Sequence, residues 1–121
     1  MHEYLELLDF KNPDYSMFDL DKFYIDKIKH FLSLLDLDGV NIYKEYEFSY
    51  REDNVSYHGI IDLIIEYKDR IMIVDYKLNN IIDDIYFKQL ESYKKYISKK
   101  SNKKIDIYLF SIISGTLEKI F

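Results

Sequence analysis

The chain has neither cysteine nor alanine among its 121 residues. The absence of cysteine excludes disulfides, thiolate nucleophiles, cysteine-ligated zinc and iron–sulfur clusters. No apolar run approaches the ~18 residues that a membrane-spanning helix needs, and the N-terminus is acidic. We therefore expect a cytoplasmic protein without a membrane partner. The missing alanine, beside abundant Ile, Lys and Tyr, fits codon bias in an AT-rich genome and carries no functional meaning.

The size and charge of the chain limit its class. A mass of 14.8 kDa with 48% hydrophobic residues predicts one domain with its own core. The net charge of −5 argues against a stand-alone DNA-binding module, because phosphate contacts dominate nucleic-acid affinity. Residues 1–50 carry five lysines against eleven acids, whereas residues 86–104 carry seven lysines against one glutamate. This basic stripe could follow a phosphate backbone, or it could be a solvated helix face.

The hydrophobic pattern predicts an α/β (α+β) domain with one sheet flanked by helices. Asp19 or Asp21 can cap the second helix, and Lys68-Asp69 is the only polar break between the second and third strands. The predicted helices cover residues 1–10, 21–35 and 83–100, and the predicted strands cover residues 41–50, 60–67, 70–77, 105–113 and 116–121. Residues 51–54 and 78–80 are predicted to be turns or loops.

The second and third strands hold the most informative residues. If Lys68-Asp69 is the turn of a hairpin, Asp62 lies directly opposite Asp75 and Lys77 shares their face. Opposed like charges are destabilising unless something neutralises them, and a divalent cation would do so. The apolar residues predicted on the same face are Ile60, Ile64, Ile71 and Ile73. The alternative is that the two acids merely reach solvent at the edge of a sheet.

Other polar residues are placed near this hairpin by the pattern. His58 falls on the predicted face of Asp62, where it could touch a substrate or be a half-buried strand end. Gln89 and Tyr93 are four residues apart and project from one helical face, so they could orient a site, with Tyr93 stacking on a base. Alternatively, Tyr93 packs on the sheet. Glu45 could support metal-bound waters or face solvent, and His30 is interpreted as structural.

Three segments together resemble the PD-(D/E)xK nuclease domain of AddA- and RecB-type helicase–nucleases. They are Gly59-Ile-Ile-Asp62, Val74-Asp75-Tyr76-Lys77 and Gln89-Leu-Glu-Ser-Tyr93, with thirteen residues from the first aspartate to the second. Residues 45–48 resemble the E-x-P-F strand of AddA-type domains, with glutamate in place of proline. Residues 1–10 resemble the helix that carries the family's metal-binding histidine, which gives that role to His2.

The resemblance implies a restriction-endonuclease-like core with a central mixed sheet and a Mg²⁺-dependent, exonucleolytic activity on DNA single strands. Residues 1–121 would form one nuclease domain from the C-terminus of a longer AddA-type polypeptide, since the chain has no Walker A sequence. The resemblance places this activity in double-strand-break repair and recombination. The partners it implies are DNA, a helicase domain of the same polypeptide and an AddB-like subunit. The abrupt start of the helix before His2 is consistent with such a truncation.

The resemblance also assigns roles to individual residues. The residues implied to be catalytic are Asp62, Asp75, Lys77, Gln89 and Tyr93. Those implied to hold Mg²⁺, or Mn²⁺, are His2, Asp62, Asp75 and the backbone carbonyl of Tyr76. Those expected to contact DNA are Lys88, Lys95 and Lys99.

Two other functions are compatible with these residues. One is a free-standing PD-(D/E)xK nuclease of a phage or a defence system. The other is a module that keeps the fold only to bind DNA or to dock a partner. The complete set of Asp62, Asp75 and Lys77 argues against the second, because a retired site usually loses one of its members.

Overall fold

A computed structural model describes residues 2–16, 19–78 and 83–121. These residues form α1 (His2–Leu7), α2 (Lys22–Ser33), β1 (Asn41–Glu52), β2 (Val55–Glu66), β3 (Arg70–Lys77), α3 (Asp84–Ser98), β4 (Lys104–Ser111) and β5 (Thr116–Lys119). The predicted order of two helices, three strands, one helix and two strands is confirmed. Within the described residues, no helix has the length and hydropathy that a bilayer crossing requires.

The five strands form one sheet in the order β1-β2-β3-β4-β5. Neighbouring strands are antiparallel except β3 and β4, which are parallel. Helix α3 makes the crossover that a parallel pair requires. Asp21 and Asp83 cap α2 and α3 by accepting backbone N–H bonds from the first turn. The fold is therefore α+β with a mixed five-stranded sheet. The hydrophobic pattern predicted one sheet flanked by helices, and the family resemblance implied that the sheet is mixed.

Each face of the sheet carries its own apolar core. On one face, α1 and α2 pack over a core that includes Leu5, Leu8, Ile28, Phe31, Leu63, Ile65, Val74, Tyr76 and Phe110. On the other face, α3 packs over a core that includes Phe48, Ile61, Ile64, Ile73, Leu90, Tyr93, Ile107 and Leu109. The helical spacing of the buried residues of α3 places them on one side of the helix, the side that packs on this face of the sheet.

Several element boundaries differ from the predicted ones. The β1–β2 hairpin is longer, because β1 continues to Glu52 and β2 already begins at Val55. Its turn is Asp53-Asn54, both at positive φ, which is the conformation of a tight two-residue hairpin turn. Helix α1 ends at Leu7 rather than at residue 10, and α3 ends at Ser98 rather than at residue 100. The predicted loop residues 79 and 80 and the predicted helix start at residue 1 lie outside the described part of the chain.

In the middle of the β1–β2 hairpin, here called the β1–β2 ribbon, the side-chain alternation reverses. Positions that face one side of the sheet in the first half of the ribbon face the other side in the second half. Ile42 and Leu63 pack in the α1–α2 core, whereas Tyr46 and Ile61 pack in the α3 core. The exchange occurs at Glu45, which has a φ of 49°. Glu45 on β1 and Asp62 on β2 lie between two regular cross-strand pairs. A regular strand over the predicted residues 41–50 would alternate its side chains between the two faces without interruption. The structure departs from that regularity, because one left-handed residue shifts the side-chain period by one position. The exchange leaves Glu45 and Asp62 opposite each other on neighbouring strands.

Candidate active site

A cleft of about 460 Å³ opens where α1, β2, β3 and α3 meet. It is lined by His2, Ile60, Asp62, Asp75, Tyr76, Lys77, Leu78, Gln89 and Tyr93. The structure thus places every residue predicted to be catalytic or to bind metal around one cavity. The three lysines expected to contact DNA line other parts of the surface.

The β2–β3 hairpin has the register that the sequence predicted. Tyr67 N–H donates to the carbonyl of Arg70 at 2.9 Å, so Lys68-Asp69 is the turn. The paired residues run from Glu66 and Ile71 to Leu63 and Val74, and the ladder ends there. If the pairing continued by one more residue, Asp62 would lie directly opposite Asp75.

The strands open at that position, and a side chain takes over the role of a backbone partner. Tyr76 N–H, which would continue the ladder, donates instead to Asp62 Oδ2 at 2.9 Å. The Asp62 carboxylate therefore fills the gap between β2 and β3, where it can interact with groups on either face of the sheet. This explains how it meets both His2, on the α1 side, and Asp75, on the α3 side.

Three carboxylates influence one another across β1, β2 and β3. Burial raises the pKa of Asp62 to about 7, and the hydrogen bond from Tyr76 N–H opposes that rise. The charge of Asp75, a hydrogen bond with Asp75 and the charge of Glu45 are smaller contributions to the same rise. Burial and neighbouring acids also raise the pKa of Glu45. Burial and the neighbouring acids therefore disfavour the charged forms of Asp62 and Glu45 in this cleft.

Tyr86 belongs to this site although the sequence analysis did not single it out. Its hydroxyl donates to Asp75 Oδ2 at 2.5 Å, and Lys77 Nζ lies 4.4 Å from the centre of its ring. Burial and the hydrogen bond to Asp75 raise the pKa of Tyr86, which keeps it a donor. A signal was available, because Tyr86 precedes Gln89 by three residues and Tyr93 by seven, which places all three on one helical face.

Gln89 and Tyr93 are hydrogen-bonded to each other, and the Tyr93 ring is buried rather than available to a base. Gln89 Nε2 donates to the Tyr93 hydroxyl at 2.7 Å, and that hydroxyl donates to the backbone carbonyl of Ile60 at 3.0 Å. The ring of Tyr93 is only 1% exposed and packs edge-to-face on Phe48. The prediction that Tyr93 stacks on a base is therefore wrong, and the alternative of packing on the sheet is confirmed. The pair ties α3 to the strand that carries Asp62.

His2 reaches the cleft from α1. Its Nε2 lies 3.4 Å from Asp62 Oδ2, and its ring meets Tyr76 edge-to-face at 5.6 Å. Within residues 2–16, 19–78 and 83–121, no three His, Asp or Glu side chains stand together at the spacing of a ready metal-binding group. His58 is exposed and lines a neighbouring cavity with Ile60, and His30 is exposed on α2.

The lysines expected to contact DNA lie along α3, beside the β1–β2 ribbon. Lys95 Nζ pairs with Glu52 Oε1 at 2.5 Å, and Lys99 Nζ is 3.9 Å from Glu52 Oε2. Lys88 lines a groove between the ribbon and the helix. Part of the predicted basic stripe is thus neutralised by a glutamate distant in sequence, which the charge count alone did not show.

Comparison with known proteins finds relatives for part of the chain. No protein-family model matches it. It is 31% identical over 84 residues, 63% of its length, to an ATP-dependent helicase/nuclease subunit of Clostridium beijerinckii. Identity to proteins of the same name is 31% over 86 residues in Clostridium kluyveri and 30% over 91 residues, 69% of the chain, in a Thermoanaerobacter species. The matched part spans about 7% of the length of these relatives, so the chain is similar to one small portion of AddA-type helicase/nuclease subunits.

Proposed function

We propose that this chain is a metal-dependent DNA nuclease domain with a restriction-endonuclease-like core. One observation carries the proposal: the hairpin brings Asp62, Asp75 and Lys77 into a single cleft. Two acids and a lysine at the open end of a strand pair form the group that phosphodiester hydrolysis needs. The relatives are named as ATP-dependent helicase/nuclease subunits, which supports a place for this chemistry in DNA processing.

The donor atoms of the cleft are of the chemical type that a hard divalent cation takes, and among the described residues no three His, Asp or Glu side chains stand at ligating spacing before a cation binds. Carboxylate oxygens are the ligands that Mg²⁺ prefers, and the imidazole of His2 would favour Mn²⁺. Asp62 and Asp75 lie within mutual hydrogen-bonding range, and burial and mutual repulsion raise the pKa of Asp62 to about 7. A cation held by Asp62, Asp75, His2 and the Tyr76 carbonyl would relieve that repulsion. When bound, it would polarise the scissile phosphate and lower the pKa of a water.

The protein's own groups prepare the site. Tyr76 N–H orients Asp62, and the Tyr86 hydroxyl orients Asp75, so each carboxylate keeps one oxygen directed by a fixed donor. Lys77, whose ammonium rests over the Tyr86 ring, would position the attacking water and offset the charge of the phosphate. Gln89 would support Tyr93, which holds the Ile60 backbone beside Asp62.

The finer assignments belong to the same proposal. Residues 1–121 would act as the nuclease domain of an AddA-type helicase–nuclease, cutting single DNA strands exonucleolytically in double-strand-break repair and recombination. A helicase domain of the same polypeptide and an AddB-like subunit would be its partners. The free-standing phage or defence nuclease would use the same site and the same residues.

The test is metal binding by calorimetry, with cleavage of labelled single-stranded DNA in parallel. We expect Asp75→Ala to lose both metal binding and cleavage, and Lys77→Ala to keep metal binding while cleavage falls at least ~10³-fold. Asp106→Asn is the matched control for the aspartate, because Asp106 is similarly buried but pairs with Lys104 and Lys119 on β4 and β5. Lys68→Ala, in the exposed turn, is the control for the lysine.

The outcomes separate the roles. If the folded wild type binds neither Mg²⁺ nor Mn²⁺ and does not cut, the nuclease proposal is wrong. If Lys77→Ala cuts as well as Lys68→Ala, a metal site exists but the role given to Lys77 is wrong. Circular dichroism of each variant shows whether a loss of activity reflects unfolding.

A further inference from the structure

A second groove lies between the β1–β2 ribbon and α3, away from the acidic cleft. It has a volume of about 630 Å³, within the ~300–1,000 Å³ typical of ligand sites. Its lining combines flat aromatic rings with ammonium groups: Tyr50, Tyr57, Phe121, Lys88, Lys94 and Lys95, together with Glu91 and Ser92. The proposed hydrolysis uses none of the aromatic residues of this groove.

The rings form an ordered stack along the ribbon. Phe48 is stacked on Tyr50 with ring centres 6.2 Å apart, and Tyr50 is stacked on its cross-strand partner Tyr57 at 4.8 Å. Tyr57 ends the stack and is 40% exposed. Lys99 Nζ lies 4.6 Å from the centre of the Tyr50 ring. The face exchange at Glu45 makes this possible, because it turns the ribbon's aromatic side towards the lysines of α3.

A middle cavity shares one lining residue with the acidic cleft and is in ring contact with a residue of the groove. This middle cavity is lined by Phe48, His58, Gly59, Ile60 and Tyr96, and Ile60 also lines the cleft that holds Asp62 and Asp75. Tyr96 lies 4.9 Å from Phe48 and 6.1 Å from Tyr50, which links the middle cavity to the groove. The groove and the cleft are therefore joined by a series of neighbouring residues, from Tyr50 through Tyr96 to Ile60.

We infer that this groove, defined by Tyr50, Tyr57, Lys88, Lys94 and Lys95, binds single-stranded nucleic acid and guides it to the cleft. Unpaired bases stack on aromatic rings, and lysines follow the backbone charge, so both halves of the lining match one partner. A duplex would match less well, because its bases are already stacked. The inference deepens the proposed function and rests on it, yet binding without cleavage tests it separately.

The first experiment measures binding of fluorescein-labelled oligodeoxythymidine by anisotropy in EDTA, where no metal-dependent cleavage occurs. We expect Tyr57→Leu to weaken binding ~5- to 20-fold by removing the exposed end of the stack. Tyr43→Leu is the matched control, since Tyr43 is a 42% exposed tyrosine on β1 that does not line the groove. This control variant should change the affinity less than ~2-fold. Equal affinities of these two variants, or no binding by the folded wild type, would overturn the inference.

A second variant should increase affinity, so that unfolding cannot imitate its effect. Glu52 pairs with Lys95 and Lys99 at the edge of the groove. Glu52→Gln would release both ammonium groups for phosphates, and we expect tighter binding by ~2- to 5-fold with a steeper salt dependence. Weaker or unchanged binding would show that these lysines do not face the strand.

Competition and small substrates separate this inference from the nuclease proposal. Unlabelled single strands of DNA or RNA should compete, and a duplex of the same length should compete at least ~5-fold less well. If cleavage is detected, Tyr57→Leu should raise KM for the oligonucleotide and leave hydrolysis of thymidine 5′-p-nitrophenyl phosphate unchanged. Oligonucleotide binding without any cleavage would refute the nuclease alone, and cleavage with unchanged KM in Tyr57→Leu would refute the groove alone.

Discussion

The two ends of the β2–β3 hairpin differ in how the strands are joined. Backbone hydrogen bonds join them at the turn, and a side chain joins them at the other end. At the turn, Tyr67 N–H donates to the backbone carbonyl of Arg70, and the Arg70 guanidinium lies 3.9 Å from the centre of the Tyr67 ring. At the other end the ladder stops, and the Asp62 carboxylate accepts the N–H that a backbone carbonyl would otherwise take. The closed end stabilises the fold, whereas the open end buries acids that cost stability. The candidate site thus lies where the regular pairing of β2 and β3 ends.

The largest expected effect lies in the closed half of the hairpin. Ile65 is fully buried against the α1–α2 core, and Ile65→Ala should lower the free energy of unfolding by about 3 kcal/mol. Ile60→Ala, in the open half, should cost less than about 1 kcal/mol because Ile60 is 47% exposed. Urea unfolding of both variants checks the contrast, and equal losses would show that the two halves do not differ in this way.

The next effect concerns the hydrogen bond that holds Asp75. Tyr86→Phe removes the hydroxyl that donates to Asp75 Oδ2, and we expect Mn²⁺ affinity to fall ~10- to 100-fold. Tyr67→Phe, at the closed end of the same hairpin, should leave the affinity unchanged. Calorimetric titration measures both variants. An unaltered affinity in Tyr86→Phe would mean that this tyrosine does not position the carboxylate.

A smaller effect should appear in the pH dependence of stability without metal. The pKa of Asp62 is about 7 in the folded chain and starts from 3.8, so between these values the folded chain retains a proton that the unfolded chain has released. Stability should therefore fall as pH rises from 5 to 8, and Asp62→Asn should remove about 2 kcal/mol of that fall. Urea titrations in EDTA at both pH values test this, and parallel curves for wild type and variant would contradict it.

The smallest expected effect is at the turn. Arg70→Ala removes an exposed ion pair with Asp69 and the contact with the Tyr67 ring, and should cost about 0.5 kcal/mol. Cleavage and metal affinity should stay unchanged, since the turn lies at the far end of the hairpin from Asp62. Thermal unfolding and the cleavage assay measure the two results. A loss of activity would show that the closed end also shapes the site.

Gly59 shows how far a motif can be explained physically. In the sequence, Gly59 is the first residue of the Gly59-Ile-Ile-Asp62 segment that resembles the nuclease family. In the structure it lies directly across from Phe48, and a Cβ at this position would stand 2.6 Å from the Phe48 ring. A side chain at this position would force the buried Phe48 ring to shift, so close packing favours glycine here. Sequence reasoning found the position without its cause.

Local patterns determined much of this protein. The order of helices and strands, the turn at Lys68-Asp69 and the register that sets Asp62 towards Asp75 all follow from side-chain periodicity, which acts over a few residues. The same register placed Lys77 beside them. These features depend on neighbours along the chain, so the chain's own pattern was enough to predict them.

Only the tertiary structure decided how those residues are used. The left-handed Glu45 exchanges the faces of the ribbon, and Tyr86 reaches Asp75 from a helix that begins nine residues later. Glu52 neutralises lysines more than 40 residues away. Such contacts arise when separate elements pack against each other, and their energies depend on burial and distance in space. The sequence alone therefore located the candidate site, while packing determined its charge, its supporting hydrogen bonds and the second groove between the β1–β2 ribbon and α3.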